Sequence, residues 1–415
     1  MTENNNKFNS LNLDKDMCDN LNNMGYTQMT QIQEQSLPIT LENKDLIAQA
    51  KTGSGKTASF GIALLAKLQV QKFRIQSMVL CPTRELAIQV ADELKLIARF
   101  KHNIKITVLC GGMPYKPQVH SLSHQAHIIV GTPGRILKHL EEKSFDTVDI
   151  DTLVLDEADR MLDMGFFDDI MKVIDFLPKQ RQTMLFSATY PPRIETMAKD
   201  ILINPTKVIV ESTHKENTIE QVFYEAIEEE KSENVINLFN TFKPESVLIF
   251  CNTKIACDAL ADELEDKDYN PLVLHSDLDQ RDRNETLILF SNKSFPILIA
   301  TDVASRGLDI DDIDLVINYD LPNTTEVYTH RIGRTARAGK TGKAVSLVNN
   351  HDIEIFEDLI EEHSLSHTLQ PTSQLDSENK HNFKSQWTTL FINGGKKQKV
   401  RAGDILGALT QGVGL

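Results

Sequence analysis

The sequence has only 5 cysteines among its 415 residues, and none of them forms a Cys-x-x-Cys pair. The odd number argues against a disulfide framework, and the lack of such a pair argues against a cysteine zinc site. No apolar run approaches the about 20 residues that a membrane-spanning helix requires, and the polar first residues do not form a signal segment. We therefore expect a cytoplasmic protein without a membrane contact.

Positive charge is also scarce. The chain has 44 Lys and Arg against 59 Asp and Glu, a net charge of −15, and its pI is near 5.3. This average argues against a nonspecific polyanion binder, so any nucleic-acid site must be locally basic. One such region is the C-terminal stretch, where Asp404 alone opposes Lys380, Lys384, Lys396, Lys397, Lys399 and Arg401.

Short apolar runs alternate with amphipathic stretches of helix length along most of the chain, which is typical of parallel sheets built from βαβ units. The runs of the first half are 78–80, 104–109, 128–130, 153–155, 184–186 and 208–210. Those of the second half are 222–227, 247–250, 272–274, 297–299, 315–319 and 344–348. This pattern predicts an α/β protein with two tandem domains of similar build.

Breaks in this alternation set the expected domain boundaries. The polar residues 211–218 are interpreted as a linker between a first domain, residues 1–210, and a second, residues 219–365. A further polar linker is expected at 366–386, followed by a basic C-terminal segment at 387–415.

A glycine-containing stretch between an apolar run and a helical one predicts a phosphate-binding loop. It consists of Ala50, Lys51, Thr52, Gly53, Ser54, Gly55, Lys56 and Thr57. The glycines let successive N–H groups and a helix N-terminus point at one anion. Lys56 is expected to reach the β- and γ-phosphates, and the Thr57 hydroxyl to bind Mg²⁺. Ala50 departs from the usual glycine, and a Gly/Ser-rich turn that caps a helix is the alternative.

Two adjacent carboxylates, Asp156 and Glu157, follow the buried run 153–155. Hydrolysis of a nucleotide needs one acid to order Mg²⁺ beside the phosphates and a second group to orient the attacking water. We assign Asp156 to the metal and Glu157 to the water. The alternative is a solvated helix start, where acidic residues are favoured by the helix dipole.

The second half carries a dense cationic run at 330–339 instead of a glycine-rich loop. Arginine is always charged and its fork matches phosphate oxygens, so arginines from this run can complete a nucleotide site when the domains close. An exposed basic loop is the alternative interpretation.

Taken in order, these motifs resemble those of DEAD-box ATP-dependent RNA helicases over about residues 8–365. The resemblance implies two RecA-like domains, with parallel sheets flanked by helices. It also implies that Gln33 reads adenine and that the aromatic Phe8 stacks on it. Met29 and Gln31 stand where the family usually has prolines.

The resemblance further implies RNA contacts in both domains. Those of the first domain are Arg84, Gly111, Gly112, Thr132 and Arg135, and those of the second are Gln280, Arg283, Thr301 and Arg306. By the same resemblance Ser187-Ala188-Thr189 links hydrolysis to unwinding, Asp309 contacts the ribose, His330 couples the two sites, and Arg334 and Arg337 are arginine fingers.

The C-terminal segment resembles the start of the RRM-like RNA-binding module of bacterial DbpA-type members of this family. That module docks on a hairpin of large-subunit (23S) ribosomal RNA. Its strand-like TTLFI, Gly-Gly turn and helix-like DILGAL suggest more order than a basic tail would need. Because only about 29 residues of it are present, we expect a partial module in which Lys396, Lys397, Lys399 and Arg401 contact phosphates.

The resulting prediction is an RNA-stimulated ATPase that uses ATP and Mg²⁺, acts as a monomer and separates short RNA duplexes locally. A role in large ribosomal subunit assembly is expected with it. Two alternatives stay open. One is a DNA helicase or translocase, since paired RecA-like domains serve both nucleic acids, and the other is an ATP-gated RNA clamp or chaperone with little unwinding.

Overall fold

The fold was analysed in a computed structural model. It describes residues 7–412, except 52, 211–218, 303–312, 336–341, 363–367, 386, 393 and 395–397, and it gives only the backbone at 326, 362, 411 and 412. Among the described residues no helix combines the length and the apolar character needed to span a bilayer. The expected linker at 211–218 lies outside the described residues.

The chain divides into two compact units, each containing a seven-stranded sheet. The first sheet has the order β3-β4-β2-β5-β6-β1-β7, and every neighbouring pair in it is parallel. Its strands are β1 (Leu46–Gln49), β2 (Ser77–Leu80), β3 (Ile106–Leu109), β4 (Ile128–Gly131), β5 (Thr152–Leu155), β6 (Gln182–Ser187) and β7 (Thr206–Ile209). The predicted parallel α/β architecture is confirmed for this unit.

Nine helices flank the first sheet in the described part of the chain. They are α1 (Lys15–Asn23), α2 (Gln31–Leu41), α3 (Lys56–Lys67), α4 (Arg84–Ile97), α5 (Tyr115–Ser123), α6 (Pro133–Glu141), α7 (Ala158–Asp163), α8 (Phe167–Asp175) and α9 (Pro192–Ile201). Side chains alternate between the sheet faces along each strand. Leu46 and Ala48 therefore join one core with α1 to α4, while Ile47 joins another with α6 to α9. Burial on both faces explains the unbroken apolar runs.

The second sheet has the order β10-β11-β9-β12-β13-β8-β14. Its strands are β8 (Ile219–Glu225), β9 (Val247–Cys251), β10 (Pro271–Leu274), β11 (Ile297–Thr301), β12 (Leu315–Asn318), β13 (Gly342–Val348) and β14 (Gln370–Pro371). The accompanying helices in the described part are α10 (Lys231–Phe242), α11 (Lys254–Glu265), α12 (Gln280–Ser291), α13 (Thr325–Ile332) and α14 (Ile353–Glu362). Strands β10, β11, β9 and β12 run parallel to one another.

Residues 370–385, here called the strap, pack on the second unit, although the sequence predicts a polar linker at 366–386. Strand β14 pairs with β8, and Leu375 is buried in the second core. The Phe383 ring packs edge-on against Phe239, with ring centroids 5.2 Å apart. The polar average of the stretch hid these two apolar side chains, whose burial stabilises the packed position of the strap.

The C-terminal segment shows one predicted element and lacks another. The helix-like sequence forms α15 (Ala402–Gly407). The strand predicted for TTLFI is wrong, because described residues 387–392 form no strand, and Trp387 and Leu390 are 65% and 69% exposed. A strand needs a partner for its N–H and C=O groups, and no such partner lies within the described part of this segment.

Candidate active site

The motif loops of the first unit follow the strands of its sheet at their carboxyl ends, the usual ligand edge of an α/β sheet. Strands β1, β6 and β5 are neighbours, so they bring together the phosphate loop, Ser187–Thr189 and Asp156–Glu157. Strands β2, β4 and β3 are neighbours on the other side and carry Arg84, Thr132–Arg135 and Gly111–Gly112. The sheet order thus divides the edge into two halves with different chemistry.

The phosphate loop has the curled backbone that the sequence predicts. Gly53 and Gly55 have φ of 79° and 91°, a region that side chains rarely tolerate, and Gly55 immediately precedes α3. Lys56 is 7% exposed, and its Nζ donates to the carbonyl of Ala50 at 2.7 Å. The Lys56 ammonium therefore lies against the concave side of the loop, where an anion would bind. Thr52 lies outside the described residues.

The side-chain amide of Gln33 holds this loop in place through two hydrogen bonds. Its Oε1 accepts from the Thr30 N–H at 2.9 Å, and its Nε2 donates to the Gly55 carbonyl at 3.1 Å. Gln33 is 1% exposed, so the amide connects the start of α2 to the last residue before α3. The adenine-reading role of Gln33 stays a prediction. The same is true of stacking by Phe8, which is 4% exposed and packs against Tyr26 with ring centroids 6.5 Å apart.

Gly55→Ala is expected to weaken ATP binding by at least tenfold. Its Cβ would lie 2.5 Å from Gln33 Nε2, so the Gln33 side chain must shift. An L-residue in this backbone region costs about 1–2 kcal/mol in addition. Gly25→Ala is a matched control, because Gly25 has φ of 86° but an added Cβ meets nothing within 4 Å. Thermal melting should show a larger loss in Gly55→Ala than in Gly25→Ala, and fluorescent-nucleotide titration should show lost affinity in Gly55→Ala alone. Equal nucleotide affinities in Gly55→Ala and Gly25→Ala would show that the Gln33 contact does not hold the loop in its binding shape.

The adjacent carboxylates lie at the end of β5, and both are buried. Burial and the neighbouring Glu157 raise the pKa of Asp156 above its usual range, and Asp156 Oδ1 has no hydrogen-bond partner among the described residues. Glu157 has a left-handed backbone with φ of 52°. Its Oε2 pairs with Arg160 NH1 at 2.6 Å. Strained backbone of this kind is often retained at functional sites.

The structure identifies a contact between two motifs that the sequence argument did not assign. Asp159 Oδ2 accepts from the N–H groups of Ala188 and Thr189 and from the Thr189 hydroxyl at 2.8–3.0 Å. Burial raises the pKa of Asp159, but the hydrogen bond from the Thr189 N–H, together with nearby positive charge such as that of Lys56, outweighs it, so the pKa is lowered overall. The ionised carboxylate therefore ties the loop after β5 to the loop after β6. Its signal in the sequence was its place in the DEAD string, beside Arg160.

In the other half of the edge, two arginines have the surroundings of anion ligands. Arg84 Nε and NH1 are buried and have no hydrogen-bond partner in the described part of the chain, which is costly unless an anion satisfies them. Arg135 NH1 donates to the Met113 carbonyl at 3.0 Å. Gly111, Gly112 and Thr132 lie on the neighbouring loops, with Gly112 at a φ of 70°.

The second unit places its predicted residues at the ends of β10 and β11. Gln280 begins α12 after an Asp279 cap, and Arg283 lies one turn later. Thr301 ends β11, and the following Asp302 is paired by both of its oxygens to Arg331, each at 2.7 Å.

The Asp302–Arg331 pair was not predicted, and it fixes α13, the helix that carries His330. Arg334 is 6% exposed. Arg306, Asp309, Arg337, Lys396 and Lys397 lie outside the described residues, whereas Lys399 and Arg401 lie in the exposed segment before α15.

The residues present fit a magnesium nucleotide. Among the described residues no group of three His, Cys, Asp or Glu side chains could hold a metal ion. Mg²⁺ is commonly held by one or two carboxylates together with substrate phosphates, and the unpartnered Asp156 oxygen supplies such a carboxylate. Thr57 is the second residue of α3, directly after Lys56, and supplies a hydroxyl.

Comparison with known families gives three matches. Residues 30–197 match the family described as DEAD/DEAH box helicase, residues 230–339 match the helicase conserved C-terminal domain, and residues 389–415 match the DbpA RNA binding domain. Among curated relatives, the ATP-dependent RNA helicase DbpA of Escherichia coli is 47% identical over 95% of this chain and 86% of the relative. That of Bacillus subtilis is 38% identical over 97% and 88%.

Solved structures are similar over most of the chain. S. cerevisiae Dbp5 bound to RNA and ADP BeF3 gives a TM-score of 0.81 at 30% identity, covering 89% of this chain and 96% of the chain in that structure. A DEAD box protein from the hyperthermophile Methanococcus jannaschii gives a TM-score of 0.51 at 39% identity, covering 88% and 98%.

Proposed function

Because the chain belongs to the family of DEAD-box ATP-dependent RNA helicases, we propose that it couples ATP hydrolysis to local separation of short RNA duplexes. The observation that carries this proposal is the order β5-β6-β1. It puts the phosphate loop, Ser187–Thr189 and the DEAD carboxylates on three adjacent strands of one sheet edge.

In the hydrolysis step, the residues of the first unit divide the work. Lys56 exchanges the Ala50 carbonyl for phosphate oxygens, and the N–H groups around Gly53 and Gly55 bind the same anion. Bound Mg²⁺, held through Asp156 and Thr57, would supply positive charge beside the phosphates. Glu157 orients the attacking water and accepts its proton.

Signalling from hydrolysis to RNA is assigned to Asp159. Its carboxylate holds the backbone of Ala188 and Thr189, and it is only two residues from Glu157. A change at the phosphates that moves Glu157 would therefore move the loop after β6 as well. Arg334 and Arg337 are proposed to stabilise charge that develops on the transferred phosphoryl group, with Asp309 on the ribose and His330 between the two functions.

RNA is proposed to bind the half of the edge formed by β2, β4 and β3. Arg84 and Arg135 supply cations, and Gly111, Gly112 and Thr132 supply close backbone approach. In the second unit Gln280, Arg283, Thr301 and Arg306 are proposed to contact the same strand. Dbp5, whose solved structure includes RNA, supports this assignment by similarity of fold.

For the domains, we place the first at residues 1–210 and extend the second from 219 through 389. The strap packs on the core of the second unit, and Thr389 Oγ1 lies 2.6 Å from Ser294 Oγ. The C-terminal match to an RNA-binding domain supports action on ribosomal RNA during large-subunit assembly. We propose that the protein acts as a monomer.

One experiment tests the function and the tail together. The ATPase rate of the full chain and of residues 1–389 is measured with RNA and with DNA of the same sequence. RNA should stimulate both chains to the same saturated rate, and DNA should stimulate neither. The shorter chain should need more RNA at low salt, and its salt slope should be shallower by about 3 at most, for four lost phosphate contacts at about 0.7 each.

Other outcomes of this experiment identify the alternatives. Equal stimulation by DNA would indicate a DNA translocase, and phosphate release limited to one turnover would indicate an RNA clamp. If only the full chain strongly prefers one ribosomal RNA hairpin, the C-terminal segment folds on that RNA, and the proposal that its basic residues contact phosphates without reading bases is wrong.

A further inference from the structure

An aromatic pair lies behind Arg135 in the RNA half of the sheet edge. The Tyr115 ring, at the first position of α5, stacks on the His139 ring of α6 with centroids 4.4 Å apart and planes 21° apart. Arg135 Cζ lies 5.7 Å from the centre of the Tyr115 ring, and Lys138 Nζ lies 4.9 Å from it. One aromatic ring therefore contacts two cations of α6.

A series of hydrogen bonds fixes this pair. His139 Nε2 lies 3.2 Å from Gln118 Oε1, and Gln118 Nε2 donates to the Cys110 carbonyl at 3.1 Å. The Tyr115 hydroxyl lies 2.9 Å from Ser144 Oγ. Through Gln118, the His139 ring on α6 is connected to the loop that begins at Cys110 and includes Gly111 and Gly112. The helix α6 also carries Arg135.

The charge state of His139 suits this arrangement. Burial and the nearby Arg135 lower the pKa of His139 to about 4, so its ring is neutral at pH 7. A neutral ring can stack behind Tyr115 without repelling the guanidinium on the same helix. Arg135 and Lys138 therefore carry the positive charge around the Tyr115 ring, and both cations lie over that ring.

We propose that Tyr115, supported by His139, is a positioning residue that holds the Arg135 guanidinium in place for an RNA phosphate. Two contacts orient Arg135: the Tyr115 ring and the Met113 carbonyl. An arginine side chain loses much rotamer freedom when it binds a phosphate, and contacts that restrict it beforehand reduce this loss on binding. The inference rests on the proposed RNA contact of Arg135 and adds a residue to it.

The test is a double-mutant cycle on RNA affinity. The RNA concentration that half-saturates the ATPase is measured for the full chain and for Tyr115→Ala, Arg135→Ala and the double variant. Each single change should raise this half-saturating RNA concentration about tenfold, which is the effect of losing one charged hydrogen bond. The double variant should be no worse than Arg135→Ala, because coupled residues are not additive.

Two further readouts separate positioning from a general loss of structure. Tyr115→Phe keeps the ring and loses only the hydrogen bonds of the hydroxyl, which include the one with Ser144, so it should keep the RNA affinity of the unchanged chain. The salt slope of RNA binding should fall by about 0.7 in both Tyr115→Ala and Arg135→Ala, the value for one phosphate contact on a single strand. Phe100→Ala is a matched control, because Lys101 Nζ lies 5.1 Å from the Phe100 ring at the opposite edge of the sheet; its RNA affinity should not change.

The outcomes distinguish the inference from the function on which it rests. If Arg135→Ala binds RNA like the unchanged chain, the RNA contact itself is overturned, and the positioning role with it. If Arg135→Ala weakens RNA binding but Tyr115→Ala does not, or if the two effects multiply, only the positioning role of Tyr115 is overturned.

Discussion

Glu157→Gln is expected to reduce ATP turnover by roughly 10³-fold or more, since positioned acid–base groups supply about 10²–10⁴-fold, while ATP binding persists. Glutamine has the same shape and can still accept the hydrogen bond from Arg160 NH1, which now joins Glu157 at 2.6 Å. It cannot accept a proton from the attacking water. The variant should therefore accumulate with ATP and RNA bound. Steady-state phosphate release and filter binding of labelled RNA measure the two effects.

A control separates this role from structural damage. Glutamine leaves the buried Arg160 charge without its ionic partner, so the melting temperature without nucleotide should fall, and an unchanged ATP affinity is the control showing that the variant is folded at the assay temperature. A turnover rate near that of the unchanged protein would show that another group orients the water, and the assignment of Glu157 would be wrong.

Arg337→Ala is expected to lower kcat by roughly 10³-fold, the low end for arginine fingers. In the sequence, Arg337 follows Arg334 at the spacing of the arginine fingers in the family motif. The interaction is made with the transition state, so ATP affinity should change little. Single-turnover hydrolysis at saturating RNA and equilibrium nucleotide titration measure the two quantities. Equal losses of affinity and rate would place Arg337 in the ground-state nucleotide pocket.

Arg331→Ala provides a contrast within the same cationic run. Arg331 is 1% exposed and pairs with Asp302 through two short contacts. Removing one partner of a buried pair leaves an uncompensated charge and costs about 3–5 kcal/mol. Thermal melting should therefore show a large loss for Arg331→Ala, so its defect is one of stability, in contrast to the kinetic defect expected for Arg337→Ala.

The sequence predicts the parts of the fold that depend on local pattern. The strands of the first sheet lie close to the predicted apolar runs because burial on both faces demands continuous apolar residues. The phosphate loop is equally local: Gly53 and Gly55 adopt the positive φ that glycine permits. Asp156 and Glu157 follow a strand as predicted, and the strand order then places them beside the loop.

What the sequence does not predict depends on contacts between distant residues. The bonds from Asp159 to Ala188 and Thr189 join positions about thirty residues apart, and no spacing rule connects them. The stacking of Tyr115 on His139 needs α5 and α6 to pack at one particular angle. The strand predicted for TTLFI fails for the same reason, since residues that favour strands say nothing about whether a neighbouring strand is present.

The packed strap also determines where a protease can cut. Trypsin must draw several residues around a lysine or arginine into an extended conformation. Lys380 donates to the Lys267 carbonyl at 2.7 Å and lies over the Tyr269 ring. The His381 N–H donates to the Asn240 side-chain oxygen, and its ring contacts the Pro244 carbonyl. Lys399 and Arg401 lie in an exposed segment. Brief digestion should therefore remove the end of the chain at Lys399 or Arg401 well before it cuts at Lys380.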